Sequence, residues 1–397
     1  MTVISRSPIV VAGAGLAAVR TVKHLRRQGF RGPVVMLSAE RHLPYDRPPL
    51  SKAVLHGRRN STSIPFDADA LDVDLRLGQP ARHLDLARRV LCTEDTEIAF
   101  DRLVIATGAD AVRLPGDGPQ VTIRTIDDAL ALRDRLQPDA RVVIVGASWI
   151  GAEVATAALA RGCRVTCLES GLAPLAGALG PEIGSGFLPW WGGVDLRLGV
   201  QVAAVRPGRV ELSDGSAVAA DTVVTGVGVR PSTGWLAGSG IELDEGVLVD
   251  EHLRTSVPGI VALGDVAARW SPKSQARLRG EHWDDAGSAG PAAADTLLAE
   301  DPDALPGYDP VPYFWSDQFG HKLQYVGRHT PGDVPIERAP GTEAGRTVTW
   351  IDRSGRATAV LTVDRPRESA VAQQIVAARR QIPEELLADA GRTLASV

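Results

Sequence analysis

The feature that most constrains the fold is a glycine turn between an apolar run and a helical pattern, and it occurs twice. Residues 9–12 lead into Gly13, and residues 141–145 lead into Gly146 in the same way. The helical pattern and the second apolar run after each turn cover residues 16–28 and 34–38, then 150–161 and 164–169. A strand, a helix and a parallel strand form one βαβ unit, so the repeat predicts two dinucleotide sites, or one site and a vestige.

The first turn reads Gly13-x-Gly15-x-x-Ala18. The two glycines permit a sharp turn and close approach of a pyrophosphate, and the small third residue lets the helix pack on the strand. The amino end of the helix then faces the phosphates. Glu40, after the next strand, is the expected acceptor for ribose hydroxyls. The alternative for the glycine turn is a tight turn without a ligand, and the alternative for Glu40 is a solvated loop carboxylate.

The second turn reads Gly146-x-Ser148-x-x-Gly151, with serine in place of the middle glycine. The hydroxyl of Ser148 is expected to donate to a phosphate. Glu169 stands at the end of the next strand, where its carboxylate would accept from the adenosine ribose hydroxyls. Because it would repel a 2′-phosphate, Glu169 favours NADH over NADPH. A surface acid at a strand end is the alternative.

Composition excludes several classes of protein. The 397 residues suffice for two to four domains. With 43 Lys+Arg against 48 Asp+Glu the net charge is −5, which argues against nucleic-acid binding. No run of about 18 apolar residues and no signal-peptide pattern is present, so no membrane span and a cytoplasmic location are expected. The three cysteines lack CxxC spacing and the histidines lack ligand spacing, so neither a disulfide framework nor a metal site is expected.

Five further side chains have the chemistry of a cofactor site. Asp265 follows an apolar strand and Gly264 and could accept from a cofactor hydroxyl, or cap the next segment. Lys52 and Glu153 could form a buried pair beside a cofactor, or be ordinary surface charges. Trp283 and Trp315 could pack on a cofactor ring, although a tryptophan is more often a core residue.

Six more segments identify a family. They are PYDRPPLSK at 44–52, ATG at 106–108, GAEVA at 151–155, GVRP at 228–231, GDV at 264–266 and PYFWSDQ at 312–318. With the first glycine turn, they resemble the FAD-dependent pyridine-nucleotide-disulfide reductase superfamily over nearly the whole chain. Within it the chain is similar to the NAD(P)H:ferredoxin reductases of the putidaredoxin reductase and biphenyl dioxygenase ferredoxin reductase type. That family lacks a redox disulfide, which agrees with the absence of a CxxxxC motif beside the first turn.

The resemblance implies an α/β fold with two Rossmann-like dinucleotide-binding domains plus a C-terminal α+β domain. The expected bounds are 1–112 and 239–311 for a discontinuous FAD domain, 113–238 for the NADH domain and 312–397 for the C-terminal domain. Electrons would pass from NADH through FAD to a small [2Fe-2S] ferredoxin that serves a cytochrome P450 or a Rieske oxygenase. The other functions considered are an NADH oxidase, a rubredoxin reductase and a redox-sensing flavoprotein similar to apoptosis-inducing factor.

The motifs and the resemblance together assign the site residues. The FAD contacts are expected at Gly13, Gly15, Ala18, Glu40, Arg47, Lys52, Ala106, Thr107, Gly108, Asp265, Trp283 and Trp315. The NADH contacts are expected at Gly146, Ser148, Ile150, Gly151, Glu153, Glu169 and Gly228. Lys52 and Glu153 are the expected catalytic pair, with Glu153 near the nicotinamide carboxamide. Ala39 stands where the family often has an acid.

A basic cluster is the expected docking surface for an acidic ferredoxin. It consists of Arg269, Lys273, Arg277, Arg279 and Arg328. Opposite charges on two partners steer their encounter, and salt weakens that steering. A solvated basic loop is the alternative. The adjacent Trp190 and Trp191 are unusual for the family, and the sequence assigns them no role.

Overall fold

The computed structural model of the chain describes residues 8–338, 345–389 and 391–396. The strands are β1 (Ile9–Ala12), β2 (Val34–Leu37), β3 (Val73–Arg76), β4 (His83–Asp85), β5 (Val90–Cys92), β6 (Glu97–Ala99), β7 (Arg102–Ile105), β8 (Ala109–Ala111), β9 (Arg141–Val145), β10 (Arg164–Glu169), β11 (Asp195–Leu198), β12 (Val202–Arg206), β13 (Arg209–Leu212), β14 (Ala217–Ala219), β15 (Thr222–Thr225), β16 (Val229–Pro231), β17 (Val247–Val249), β18 (Ile260–Ala262), β19 (Ala267–Ser271), β20 (Ala276–Leu278), β21 (Tyr313–Gln318), β22 (His321–Gly327), β23 (Val334–Glu337), β24 (Arg346–Ile351) and β25 (Ala357–Val363). The α-helices are α1 (Leu16–Arg27), α2 (Ile126–Arg135), α3 (Trp149–Ala160), α4 (Ala176–Leu179), α5 (Pro181–Ser185), α6 (Trp283–Leu298), α7 (Pro366–Ala377) and α8 (Glu384–Ala388). None of the helices in these described ranges is long and apolar enough to cross a membrane.

Contacts along the chain define two compact units. The first comprises Met1–Asp46, Ser63–Asp110 and Arg230–Tyr313, and the second comprises Arg47–Thr62, Ala111–Val229 and Phe314–Val397. Segment Arg47–Thr62, expected within the FAD domain, therefore groups with the second unit, where Leu55 joins the core around Leu132 and Val154. The four domain bounds given above stay a prediction.

The first unit is built on a parallel five-stranded sheet. The strand order is β18-β7-β1-β2-β3, and all four residues of β1 and of β2 are buried. Helices α1 and α6 pack closely, since a Cβ on Gly290 would lie 2.5 Å from the Cβ of Arg20. The chain builds the sheet outward from β1 to β3 and then returns to place β7 on the other side of β1. This reversal between β1 and β7 is where such sheets bind ligands, at the carboxyl ends of the strands.

The second unit repeats this plan and adds a further sheet. Its parallel sheet has the order β11-β10-β9-β15, so the strand order reverses between β9 and β15. The C-terminal sheet has the order β21-β22-β25-β24-β23, with α7 packed on β22 and β25. The predicted fold class, with two Rossmann-like sheets and a C-terminal α+β part, is confirmed.

Trp190 and Trp191 lie where the two sheets of the second unit are joined. Trp191 is buried and contacts the ring of Phe319 at a centroid distance of 4.9 Å. Trp190 stacks on His321 at 4.2 Å with an interplanar angle of 15°. Phe319 lies in the turn between β21 and β22, and His321 is the first residue of β22, so the tryptophan pair packs this hairpin against the parallel sheet of the second unit.

Two local predictions differ from the structure. The prolines of segment 44–52 predict neither a helix nor a central strand there, yet a π-helical turn covers Leu50–Val54 directly after Pro49. Proline is tolerated at a helix start, because its missing N–H has no partner there. The small residues after Asp285 predict a helix that starts at Ala286, yet helix α6 begins three residues earlier, at Trp283, and Asp284 in its first turn interacts favourably with the positive end of the helix dipole.

Candidate functional site

The first glycine turn closes on the neighbouring strand. Gly13 has φ +114°, and a Cβ there would lie 2.1 Å from the carbonyl oxygen of Ala106, so only glycine fits. On Gly15 a Cβ would meet nothing within 4 Å, so space is open beside the amino end of α1. No side chain in the described chain caps α1, and its first turn carries no acid. Ala18, in the first turn of α1, is fully buried. The turn therefore has the shape and the free amides of a pyrophosphate cradle.

The carboxyl ends of β7 and β18 lie beside this cradle. Ala106 N donates to Ala12 O at 2.8 Å, which aligns the Ala106–Gly108 segment with the turn. Thr107 Oγ1 donates to Ser232 O at 2.9 Å, and Gly108 adopts φ +72°. Asp265 follows Gly264, where a Cβ would lie 3.4 Å from that of Ala17 in α1. The structure thus brings Asp265 to the amino end of α1, as a carboxylate for cofactor hydroxyls requires.

Glu40 lies in the loop after β2. Its carboxylate accepts a hydrogen bond from the hydroxyl of Tyr45, and its backbone N–H donates to Ser38 Oγ at 3.1 Å. Because Tyr45 belongs to the PYDRPPLSK segment, this contact ties that segment to the loop after β2. Glu40 is half-buried at the same carboxyl edge of the sheet as Gly13, the position expected of a ribose acceptor.

The amino end of α6 carries Trp283 and a group of titratable residues. The indole of Trp283 donates through Nε1 to Asp46 Oδ1 at 2.7 Å. Burial lowers the pKa of His282, which the charge of Asp265 partly opposes. Burial also raises the pKa of Asp285 to about 6, against the opposing effect of Arg269. The Tyr308 hydroxyl donates to Asp285 Oδ1 at 3.1 Å.

The second turn has the same construction in the second unit. A Cβ on Gly146, at φ +100°, would lie 2.6 Å from Gly226 O, and a Cβ on Gly151 would lie 1.9 Å from Gly146 O. Ser148 is the N-cap of α3: its hydroxyl accepts from Gly151 N at 3.2 Å and donates to Gly226 O at 2.8 Å. This corrects the expectation that the hydroxyl donates to a phosphate, because its proton is already used. Ile150 is exposed beside the turn, and Gly228 adopts φ +107° after β15.

Glu169 supports the second turn from the end of β10. Its Oε2 accepts from Ala147 N at 2.7 Å, and its Oε1 accepts from Gly171 N at 2.7 Å. Residues 170–172 are Ser, Gly and Leu, so this loop carries no cation for a 2′-phosphate. The arrangement suits a ribose with free hydroxyls.

Lys52 and Glu153 form an ion pair in the second unit. Lys52 Nζ lies 2.8 Å from Glu153 Oε1, and the Glu153 side chain is 2% exposed against 19% for Lys52. The hydroxyls of Ser51 and Ser316 also donate to this carboxylate. Elsewhere in the unit Arg47 donates to the carbonyl of Arg124, and Trp315 is half-buried on β21.

The predicted docking cluster is smaller than expected. Arg269 is 6% exposed, and its guanidinium pairs with Asp309 at 2.9 Å, so it does not present a charge at the surface. Lys273 and Arg277 are exposed, and Arg279 is half-buried, paired with Glu281 at 3.0 Å. Arg328 is exposed in the second unit, and Lys273, Arg277 and Arg279 are the predicted residues that remain available in the first unit.

The cysteines do not form a thiol relay. All three are free, and Cys163 and Cys167 are buried. Burial raises the pKa of both thiols, which disfavours the reactive thiolate.

Comparisons with known proteins bear on these features. Residues 7–290 match the family described as pyridine nucleotide-disulphide oxidoreductase, and residues 313–397 match a reductase C-terminal domain. The chain belongs to the pyridine nucleotide-disulphide oxidoreductase family. The family resemblance stated from the motifs is therefore confirmed, and membership implies FAD and a pyridine nucleotide as cofactors.

Several members of this family are similar along their whole length. The ferredoxin–NAD(+) reductase subunit of the benzene 1,2-dioxygenase system of Pseudomonas putida is 34% identical, over 98% of this chain and 97% of its own. The protein in the crystal structure of Fdr9 has 55% sequence identity to this chain and a TM-score of 0.95, and the match covers 98% of this chain and 99% of that one. Putidaredoxin reductase, solved in a covalent complex with putidaredoxin, is 30% identical with a TM-score of 0.91, covering 98% and 97%.

The residues fit both cofactors of the family. Each turn has a glycine pressed against a neighbouring strand, at the point where its sheet reverses strand order. Sequence reasoning found the turns and their acids but missed Ser51, Ser316 and Tyr45, which hold the predicted carboxylates. Their only signal was their position inside the two most specific segments, PYDRPPLSK and WSDQ.

Proposed function

We propose that this chain is an FAD-dependent NADH:ferredoxin reductase that supplies a small [2Fe-2S] ferredoxin serving a cytochrome P450 or a Rieske oxygenase. The observation that carries the proposal is the pair of cradles: Gly13 against Ala106 and Gly146 against Gly226, each at the reversal of a parallel sheet. Relatives named as ferredoxin–NAD(+) reductases match 97–98% of the chain and support the choice of acceptor.

The first unit would hold FAD. The amides at the start of α1 would bind its pyrophosphate, with Gly13 and Gly15 allowing close approach. Glu40 would accept from the ribose, and Asp265 from a ribityl hydroxyl. Trp283, oriented by its hydrogen bond to Asp46, would present its indole to the ring system.

The second unit would hold NADH in preference to NADPH. Gly146 and Gly151 would leave room for the pyrophosphate at the start of α3. Glu169 would accept from both ribose hydroxyls, and its charge would repel a 2′-phosphate. Because residues 170–172 offer no compensating cation, the preference for NADH follows from charge alone.

FAD held at Gly13, Gly15 and Asp265 would supply chemistry that links a two-electron donor to a one-electron acceptor. Lys52 would place its ammonium beside the ring system, and Glu153 would fix that ammonium through the 2.8 Å contact. No side chain has to act as a nucleophile. Burial of Cys163 and Cys167 leaves those thiols out of the electron path.

Lys273, Arg277 and Arg279 would attract the ferredoxin. They follow Asp265 in sequence and lie on or near β20 and its turn in the first unit. An acidic partner would be steered toward this surface, and rising salt would slow its association.

The test uses the FAD-loaded protein with NADH and a panel of acidic [2Fe-2S] ferredoxins, including putidaredoxin. Loss of ferredoxin absorbance under anaerobic conditions, at a rate well above that with a rubredoxin, is the expected result. NADH consumption that depends only on oxygen would instead identify an NADH oxidase. Slow flavin reduction with a long-lived charge-transfer complex would identify a redox-sensing flavoprotein.

A further inference from the structure

A buried polar cluster surrounds the carboxylate of Glu153 in the second unit. Glu153, Ser51, Ser316 and Gln318 are all buried, with Ser316 and Gln318 each 1% exposed. Polar groups in such a place need partners, because they have lost their hydrogen bonds to water. Lys52 is the member with the most exposed side chain, so the cluster ends at its ammonium.

Both oxygens of the Glu153 carboxylate are held by donors. Oε1 accepts from Ser316 Oγ at 2.6 Å and from Lys52 Nζ at 2.8 Å, and Oε2 accepts from the hydroxyl of Ser51. Two hydroxyls on opposite oxygens restrict rotation of the carboxylate about its last torsion. The Lys52 ammonium is therefore bound to an oxygen whose position is fixed.

Gln318 sets the direction of the Ser316 hydrogen bond. Its amide nitrogen, Nε2, donates to Ser316 Oγ at 3.2 Å. An amide nitrogen cannot accept, so the Ser316 oxygen accepts from Gln318 and its own proton is directed to Glu153. Such a chain of hydrogen bonds holds its members more firmly than isolated contacts do.

The parts of the cluster come from three separate segments. Ser51 lies in the π-helical turn, Glu153 on α3, and Ser316 on β21. One turn further along α3, Thr156 Oγ1 accepts from Phe319 N at 2.8 Å, which fixes the same hairpin on the same helix. The position of the Glu153 carboxylate is thus set by elements outside its own helix.

We propose that Ser51 and Ser316, with Gln318 behind Ser316, are positioning residues that hold Glu153, and through it the Lys52 ammonium, in the geometry needed for NADH to reduce the flavin. This inference rests on the proposed function, since it assigns roles within the same site. Lys52 touches the cofactor in that function, whereas the serines act through Glu153.

The experiment compares Ser51→Ala and Ser316→Ala with the matched control Ser271→Ala. Ser271 is also 1% exposed and also donates to a carboxylate, Asp309 Oδ2 at 2.9 Å, but it lies in the first unit. Each FAD-loaded full-length protein is mixed with NADH in an anaerobic stopped-flow instrument. The NADH dependence of flavin bleaching separates the limiting rate from the Kd.

Both serine variants should lower the limiting rate about tenfold or more, with the Kd for NADH changed by less than about threefold. Ser271→Ala should leave both unchanged. Ser51→Thr and Ser316→Thr keep the hydroxyl and should be faster than the alanine variants. Reoxidation of the photoreduced variants by ferricyanide should match the wild type, because that step does not use NADH.

Limiting rates for Ser51→Ala and Ser316→Ala equal to those of wild type and Ser271→Ala would overturn the inference. Equal loss of melting temperature in all three alanine variants without a loss of rate would do the same, because it assigns the serines a structural role only. Failure of the wild-type protein to bleach with NADH would overturn the proposed function instead, so the two failures are distinguishable.

Discussion

In the second glycine turn, the side chain of Ser148 has a structural role that the sequence motif does not indicate. Ser148 stands where a glycine is usual, and its hydroxyl caps α3 and binds Gly226 O rather than a phosphate. Serine is tolerated in place of glycine because its hydroxyl accepts a hydrogen bond from a backbone amide at the start of α3, which offsets the cost of the added Cβ. The second turn therefore keeps its backbone shape without the middle glycine.

Ser148→Ala should cost about 1 kcal/mol of stability and leave the NADH Kd within about threefold of wild type. Both hydrogen bonds that the Ser148 hydroxyl would lose are to Gly151 N and Gly226 O within the protein, so the variant weakens the fold and not the binding of NADH. Thr125→Ala, which removes the capping box of α2, is the matched control and should destabilise the protein similarly. Urea unfolding and NADH titration measure the two effects, and tenfold weaker binding without destabilisation would contradict this assignment.

Asp285 predicts a pH dependence. Its pKa is raised to about 6 by burial, so between about pH 4 and pH 6 the folded state binds more protons than the unfolded chain. Its contribution to stability therefore falls as pH rises through this window. Asp285→Asn keeps an acceptor for Tyr308 and should raise the free energy of unfolding at pH 8 by about 1–3 kcal/mol, with little gain at pH 4.

The control for this effect is Asp284→Asn, which removes a charge from the same helix turn. It should not stabilise the protein at either pH, because a charge near a helix amino end is favourable. Chemical denaturation at the two pH values measures both variants. Equal stabilisation by both would show that net charge, and not burial of Asp285, is the cause.

At the scale of elements, hydrophobic periodicity and glycine spacing predicted the strands and helices of the two βαβ units. The runs at 141–145 and 164–169 became β9 and β10, because buried parallel strands are continuously apolar. The π-helical turn at Leu50–Val54 was missed, because its prolines mask a helix start. The Gly-Asp-Gly-Pro composition of residues 116–119 predicts a linker, yet a Cβ on Gly116 would lie 1.9 Å from Val205 O, a tertiary contact without a local signal.

The sequence likewise predicts some residues of the candidate site and not others. Gly13, Gly151 and Glu169 could be predicted, since each has a motif position with a stated chemistry. The partners of Glu153 could not, because Ser51 and Ser316 are 102 and 163 residues away from it along the chain. The role of Trp190 and Trp191 could not be predicted either, because their contacts with His321 and Phe319 form only in the folded chain.

Gly151→Ala should separate the two cofactor sites. Its Cβ would lie 1.9 Å from Gly146 O, so α3 cannot keep its position, whereas nothing surrounds a Cβ at the helical Gly177. Gly151→Ala should retain flavin absorbance but lose NADH-dependent bleaching, because FAD would be held by the first unit. Gly177→Ala should behave as wild type. Loss of flavin from Gly151→Ala would contradict the separate assignment of the sites.

At the scale of the whole molecule, charge distribution matters more than net charge. The chain carries −5 overall, yet the proposed docking surface is basic. A local positive surface on an acidic protein steers an acidic partner to one place and repels it elsewhere. The ferredoxin reaction should thus be far more sensitive to salt than the NADH reaction.

Arg277→Glu with Arg279→Glu should lower kcat/KM for an acidic ferredoxin about tenfold or more at low salt. The deficit should shrink as ionic strength rises, because salt screens exposed charges. NADH–ferricyanide activity should be unchanged and reports correct folding. The pair Arg353→Glu and Arg367→Glu, both exposed in the second unit, gives the same change in net charge as a control. Unchanged ferredoxin turnover in the first pair would refute the docking surface.

The central claim is that the two glycine turns hold FAD and NADH. Anaerobic stopped-flow mixing with NADH and then with NADPH, observed at the visible flavin band, tests it most directly. Fast bleaching with NADH and slow bleaching with NADPH is the predicted result, since Glu169 would bind ribose hydroxyls and repel a 2′-phosphate. A protein without flavin absorbance even after addition of FAD, or with equal rates for both nucleotides, would contradict the account.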